Sequence, residues 1–283
     1  EFNADVTTKF KVNKTISSLV GINYFNYQQI RDINKDNFTD VTLQNRISVF
    51  NKWTFKQKNN LQSSLALRYV NEYRWGGETQ WQPKFRGTDS VYGESINTNR
   101  FELISTIALS ANITADFSYN YHLQDSYYGP IKYYATQQVA FAQLRWNKTW
   151  GKHDVLMGIP FRYTFYDDNS PATADKNGVN KPAHASLPGV FVQDQFTVNE
   201  KLTTLLGLRY DYNNEHGSIV TPRLSFKFSP DKNNTFRLSG GNGFRVVNLF
   251  TEDHAALTGA REVVIASALK PEKSWNGNLN YTG

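Results

Sequence analysis

Val41-Thr42-Leu43-Gln44-Asn45-Arg46-Ile47-Ser48-Val49-Phe50-Asn51-Lys52-Trp53-Thr54-Phe55 is the stretch on which the fold turns. Val41, Leu43, Ile47, Val49, Trp53 and Phe55 share one parity, and Thr42, Gln44, Arg46, Ser48, Lys52 and Thr54 share the other. Successive side chains of an extended chain point to opposite faces, so this alternation predicts a long strand with one apolar and one polar face. The next segment repeats it, with Leu61, Leu65, Leu67, Tyr69, Tyr73 and Trp75 opposed by Gln62, Ser64, Arg68, Glu72 and Arg74. The same period runs through Ile113, Ala115, Phe117, Tyr119, Tyr121 and Leu123, and recurs at Leu206 to Tyr212, Leu224 to Phe228 and Trp275 to Tyr281. About thirteen strands are predicted, near 3-12, 15-30, 40-55, 60-75, 98-110, 112-126, 136-150, 152-167, 186-198, 201-214, 218-229, 234-245 and 272-282.

Composition agrees with the pattern. The 283 residues carry a net charge of +6 and are 39% hydrophobic and 14% aromatic, with 19 Phe, 16 Tyr and 6 Trp. Mean hydropathy is only -0.56, so the apolar surface is held in rings spaced by polar residues. The longest apolar run, Val263 to Leu269, is far shorter than the roughly 18 residues of a spanning helix. Zero Cys removes disulfides, thiolate metal sites and cysteine nucleophiles. Glu1 to Lys11 already alternates, so the chain reads as a mature or internal segment.

Tight polar turns are expected at Asn13-Lys14, Lys56 to Asn60, Gly151-Lys152, Asn199-Glu200 and Pro230 to Asn233, and longer loops at 31-39, 76-97, 127-135, 168-185 and 246-271. Long antiparallel strands with short turns at one end and long loops at the other are the requirements of a transmembrane β-barrel, in which closure pairs every backbone group. A soluble β-sandwich is the alternative. It fits less well, because strands beyond twelve residues exceed the usual five or six, and no amphipathic helix is available to cover their apolar face. Aromatics gather near strand ends, as at Trp53, Phe55, Tyr73, Trp75, Trp146 and Trp150, in the manner of interfacial girdles. The expected fold is therefore all-β, an antiparallel transmembrane barrel. An odd strand count, with the alternation still running at Tyr281-Thr282-Gly283, predicts a segment of a larger barrel.

The last quarter is more specific. Leu208-Arg209-Tyr210-Asp211, Thr221-Pro222-Arg223-Leu224-Ser225-Phe226, Phe236-Arg237-Leu238-Ser239-Gly240-Gly241-Asn242-Gly243-Phe244-Arg245 and Leu269-Lys270-Pro271-Glu272-Lys273-Ser274 follow one another at strand spacing. In order and spacing this resembles the TonB-dependent outer-membrane receptors, and the residue style, rich in Asn, Lys and Tyr, looks like their Bacteroidetes members. The resemblance implies a barrel of about 22 strands, a plug within it, coupling to the TonB complex through that plug, and import of a scarce ligand such as a siderophore, haem or cobalamin. It implies that residues 1-283 are a partial barrel domain whose plug lies outside this chain. It also leaves room for a surface lipoprotein partner over the loops.

With the apolar parity in outer-membrane lipid, Arg46, Lys52, Arg68, Arg74, Arg100, Arg162, Arg209, Arg223, Lys227, Arg237 and Arg245 line the lumen, against Glu72, Glu102, Asp116, Asp154 and Asp211. Such a wall attracts anions or meets acids of a plug; wall ion pairs are the plainer reading. Nucleic acid is not an expected partner, because the basic residues are spread at period 2 with no recognition motif. Loop candidates for ligand contact are Tyr127, Tyr128, Tyr133 and Tyr134, then Trp75 and Trp81, and in the 246-271 loop His254 and Arg261. Haem receptors similar to this family place a histidine between two such boxes, but Ala266-Ser267-Ala268 stands where they carry Asn-Pro-Asn. His122, His153, His184 and His216 have no metal spacing, so no metal and no cofactor is expected. Neither a Gly-x-Ser-x-Gly nor an interpretable Ser/His pair occurs, so no enzyme is expected. A passive porin is the competing function.

Overall fold

The structure, a computed structural model, describes residues 1–175, 177–246 and 270–283. Thirteen strands are described: β1 Phe2–Lys11, β2 Ile16–Tyr27, β3 Leu43–Lys56, β4 Gln62–Gly77, β5 Gly93–Ala108, β6 Ile113–Tyr128, β7 Ile131–Trp150, β8 His153–Asp168, β9 Ala183–Thr197, β10 Leu202–Asn213, β11 Gly217–Phe228, β12 Thr235–Arg245 and β13 Glu272–Thr282. Each pairs antiparallel with its neighbours in chain order, so β1 and β13 are the two edges of one continuous sheet. No helix among the described residues is long and apolar enough to cross a membrane.

Register shows why alternation sets the faces. Val6 lies opposite Ile22, Ile22 opposite Val49, Val49 opposite Tyr69, and Tyr69 opposite Phe101. Their relative exposures are 64, 44, 37, 44 and 38%, so five successive strands present one apolar row to the surroundings. Val190, Tyr210 and Val220 form a comparable exposed row across β9, β10 and β11. A slip of one residue in any strand would turn its apolar set to the other face, so this coherence pins the register. An apolar face of this extent suits lipid and not water.

Turn chemistry closes the short end. Asn13 Oδ1 accepts the N–H groups of Thr15 and Ile16 at 2.8 Å each, and Asn199 Oδ1 accepts those of Lys201 and Leu202 at 2.9 Å each. Asp231 does the same for Asn233 and Asn234 at 2.9 and 3.0 Å. A short side chain that caps the backbone two and three residues on is the reason Asn and Asp recur there.

The other end departs from expectation most at the β6–β7 connection. The long loop expected at 127-135 is a two-residue turn, Gly129-Pro130, with Tyr128 paired to Ile131. Gly129 has φ +59°, the conformation a two-residue hairpin demands at its first central position. β7 therefore starts at Ile131 rather than near 136; separately, β5 starts at Gly93, paired with Gly77 of β4, rather than near 98.

Candidate functional site

The basic residues expected along the lumen do share a single face of the sheet, opposite the apolar rows. Arg46 faces Glu72 across β3 and β4, Arg68 faces Glu102 across β4 and β5, and Lys227 faces Arg237 across β11 and β12. On β3 to β5 Glu72 and Glu102 are each shared between two arginines. Glu72 lies 4.0 Å from Arg46 and 3.9 Å from Arg74 and accepts Gln44 Nε2 at 2.7 Å. Glu102 sits 3.7 Å from Arg68 and 3.1 Å from Arg100, and Asp116 accepts Arg145 through both oxygens at 2.6 and 3.1 Å. Residues two apart on one strand, or directly opposite on the next, are within reach of each other on a pleated face, which is how alternation alone builds these clusters.

The last strands differ. Asp211 is fully buried and is taken by Arg209, and Arg245 pairs with Glu272 at 3.0 Å. Among the described residues no acidic side chain lies within ion-pair distance of Arg223, Lys227 or Arg237, and Lys227 and Arg237 are like charges directly opposed. This face therefore passes from arginines held by acids on β3 to β7 to cations without an acidic partner among the described residues, Arg223, Lys227 and Arg237, on β11 and β12.

The four tyrosines expected in a loop are strand residues flanking the Gly129-Pro130 turn, and they divide between faces. Tyr128 and Tyr133 lie on the charged face and are buried, with 3 and 7% exposure. Tyr133 donates to Tyr166 Oη at 2.8 Å, and Tyr166 donates to Asp168 Oδ2 at 2.6 Å. The buried Asp168 also accepts Ser170 Oγ at 2.6 Å and Ser170 N–H at 2.9 Å, which ties the 169-182 connection down onto β8. Tyr134 points to the other face, where Lys132 Nζ sits 5.5 Å from its ring centroid.

Tyr127 also lies on the apolar face, and there it belongs with Trp75 and Trp81. The two indoles pack 4.7 Å apart, in a cluster with Leu43 and Val91, and are 9 and 3% exposed. Trp81 lies directly over Gly93, where a β-carbon would overlap the indole. Arg86 stacks 4.4 Å from the Tyr127 centroid and donates to Ser95 Oγ and Asp125 O at 3.0 Å each. The 78-92 connection is thus folded back on the sheet, and the faces of Trp75 and Trp81 are used in packing it. Glu78 anchors its base: its carboxylate accepts the Tyr92 N–H at 2.7 Å and Gln80 Nε2 at 3.0 Å, which holds its pKa below the usual glutamate range.

His254 and Arg261 lie outside the described residues. Sequence reasoning missed Asp168, Tyr166 and Arg86. Arg86 has no strand neighbours to betray its face, Tyr166 falls at the end of the strand expected near 152-167, and Asp168 falls at the start of the loop expected at 168-185.

The pattern of a long-stranded antiparallel wall with a lipid-type face and a charged face meets one decisive comparison. The family described as TonB dependent receptor-like, beta-barrel, matches residues 5–282. This chain belongs to that family. It is accordingly an outer-membrane chain of a receptor family and not of an enzyme class. Solved structures of TonB-dependent receptors superpose on it. The siderophore receptor PirA from Acinetobacter baumannii does so with a TM-score of 0.69 at 12% identity, covering 99% of this chain and 47% of its own. PirA from Pseudomonas aeruginosa gives 0.66 at 10% identity, over 99 and 48%. The siderophore receptor PiuA from Acinetobacter baumannii gives 0.63 at 11% identity, over 99 and 52%. At these identities the likeness is one of fold. The chain spans about half the length of these TonB-dependent receptors. No curated protein matches its sequence.

Proposed function

We propose that this chain is part of the barrel wall of an energised outer-membrane importer of a scarce ligand, with siderophores the leading class and haem or cobalamin the others. The match of residues 5–282 to the receptor barrel carries this reading. The sided charge supports it: a face with surplus Arg223, Lys227 and Arg237 favours anionic solutes or acidic segments inside the barrel. Remaining wall strands pair with β1 and β13 in the full-length protein, and a plug outside this chain couples the barrel to the TonB complex. A lipoprotein seated on the loop end is a further proposed partner, and no catalytic role is assigned.

Among the candidate contacts, Tyr128 and Tyr133 lie at the loop end of the charged face but are buried there, 3 and 7% exposed. Trp75, Trp81 and Tyr127 serve the loop that they pack. His254 and Arg261 remain candidates from their place between the two sequence boxes. The test is accumulation of radiolabelled ferric siderophore by cells expressing the full-length protein. Collapse of the proton-motive force is expected to abolish accumulation. Uptake that persists, unsaturated, through that treatment would establish a passive porin instead.

A further inference from the structure

A groove of about 600 Å³ crosses the apolar face of β9 to β13. It runs across the strands, between two rows of outward side chains. One row is Asp194, Leu206, Leu224 and Gly240, successive partners on β9 to β12; the other begins Val192, Leu208 and Pro222 and is closed on β13 by Trp275. Gly240 opens the trough because it stands opposite a second glycine, Gly277, where large residues occupy the adjoining positions. Apart from Arg223 and Asn276, whose parity belongs to the charged face, the one polar residue of the lining is Asp194 at the β9 end. There Asp194 Oδ2 meets His153 Nδ1 at 2.7 Å, while its Oδ1 is buried with no hydrogen-bond partner among the described residues.

The dimensions select an occupant. Five strands spaced about 4.8 Å apart make the groove roughly 19 Å long. A row perpendicular to strands tilted about 45° rises some 13 Å along the membrane normal, close to the roughly 15 Å of one hydrocarbon leaflet. Its low end is the short-turn end, since Asp194 lies three residues from the close of β9 at Thr197. In such barrels that end is periplasmic. A trough one chain wide, embedded in the lipid-facing surface and ending at an interfacial carboxylate, fits a lipid whose headgroup carries a cation.

We infer that this groove holds one acyl chain of a periplasmic-leaflet phospholipid with a primary ammonium headgroup, the ammonium meeting the exposed side of the Asp194 carboxylate beside His153. The site rests on the membrane placement of the apolar face and is independent of ligand uptake, so a failed uptake assay leaves it standing.

The test uses full-length protein in nanodiscs containing equal dioleoyl phosphatidylethanolamine and dioleoyl phosphatidylglycerol, followed by detergent washing and native mass spectrometry. One phosphatidylethanolamine is expected to remain per chain. Gly240→Leu fills the trough, and a β-carbon there meets only Asn276 O at 3.6 Å, so the strand tolerates it. This variant is expected to lower lipid retention about tenfold, while Asp194→Asn keeps a lipid but loses the headgroup preference. Heat-modifiable gel migration reports that both barrels are folded. Unchanged retention in Gly240→Leu, or equal retention of the two lipids by the unaltered protein, overturns the site. A dimer peak lost in Gly240→Leu would assign the trough to a second copy and overturn it likewise.

Discussion

Arg209 and Asp211, two residues apart on β10 and so on one face, form a two-pronged ion pair, Nε to Oδ2 at 2.7 Å and Nη2 to Oδ1 at 2.8 Å. Asp211 is 0% exposed, which leaves the guanidinium as the group that offsets its desolvation. Arg209→Leu is expected to cost about 3 kcal/mol, the low end for breaking a buried pair because Arg209 itself is partly open to solvent. The double variant with Asp211→Asn should recover most of that loss. Thermal unfolding of the full-length protein in detergent checks both, and additive losses would contradict the pairing.

Gly189 guards the same carboxylate. A β-carbon at Gly189 would overlap Asp211 Oδ1 and press on Tyr210 O. Gly189→Ala is expected to destabilise by about 2 kcal/mol through overpacking. Gly207→Ala, where a β-carbon finds its nearest atoms at 3.6 Å or more, should be close to neutral in the same unfolding assay.

The 78-92 loop offers a fluorescence test. Gly93→Ala forces Trp81 off the sheet and is expected to shift its emission to the red and expose the loop to protease. The loss of packing is of the order of 3 kcal/mol for a large aromatic. Unchanged emission would mean that the indole does not rest on Gly93.

Acid should loosen the same loop. The Glu78 carboxylate has a folded pKa below its unfolded value, because it accepts the Tyr92 N–H and Gln80 Nε2. A depressed carboxylate stabilises the fold above the unfolded value near pH 4.3, and that contribution is lost as pH falls through the lower folded value. Amide exchange at Tyr92 is expected to quicken below about pH 4 in the native protein. In Glu78→Gln the quickening should be absent across that range.

Alternation made the strands and both faces legible, because a period of two fixes which side chains share a surface. Arg46, Glu72, Arg68 and Glu102 could thus be assigned to one face before any pairing was known. The β6–β7 hairpin was not legible: Tyr127, Tyr128, Tyr133 and Tyr134 place aromatics on both parities, and Gly129-Pro130 reads equally well as loop punctuation. The packing of Trp81 on Gly93, and of Arg86 on Tyr127, joins a non-periodic loop to strands by side-chain contacts that no local pattern encodes. The surplus of cations at Arg223, Lys227 and Arg237 depends on which acids lie opposite, which only register reveals.

Lys227 and Arg237 face each other as like charges, an arrangement worth some tenths of a kcal/mol against the wall. Lys227→Glu is expected to relieve it and raise the unfolding temperature slightly. In planar bilayers, a plug-deleted form of the full-length protein with this change should conduct anions less selectively. Unaltered selectivity would place these side chains away from the lumen.

The account turns on the two faces, and the absence of cysteine from the chain makes them directly measurable. Single cysteines at Ile47, Val49, Tyr69 and Phe101, and at Arg46, Ser48, Arg68 and Arg100, would carry a fluorophore in full-length protein reconstituted into liposomes. Quenching by a lipid-dissolved nitroxide is expected for the first set and withheld from the second. Equal quenching of both sets, or of neither, would contradict a membrane-spanning wall.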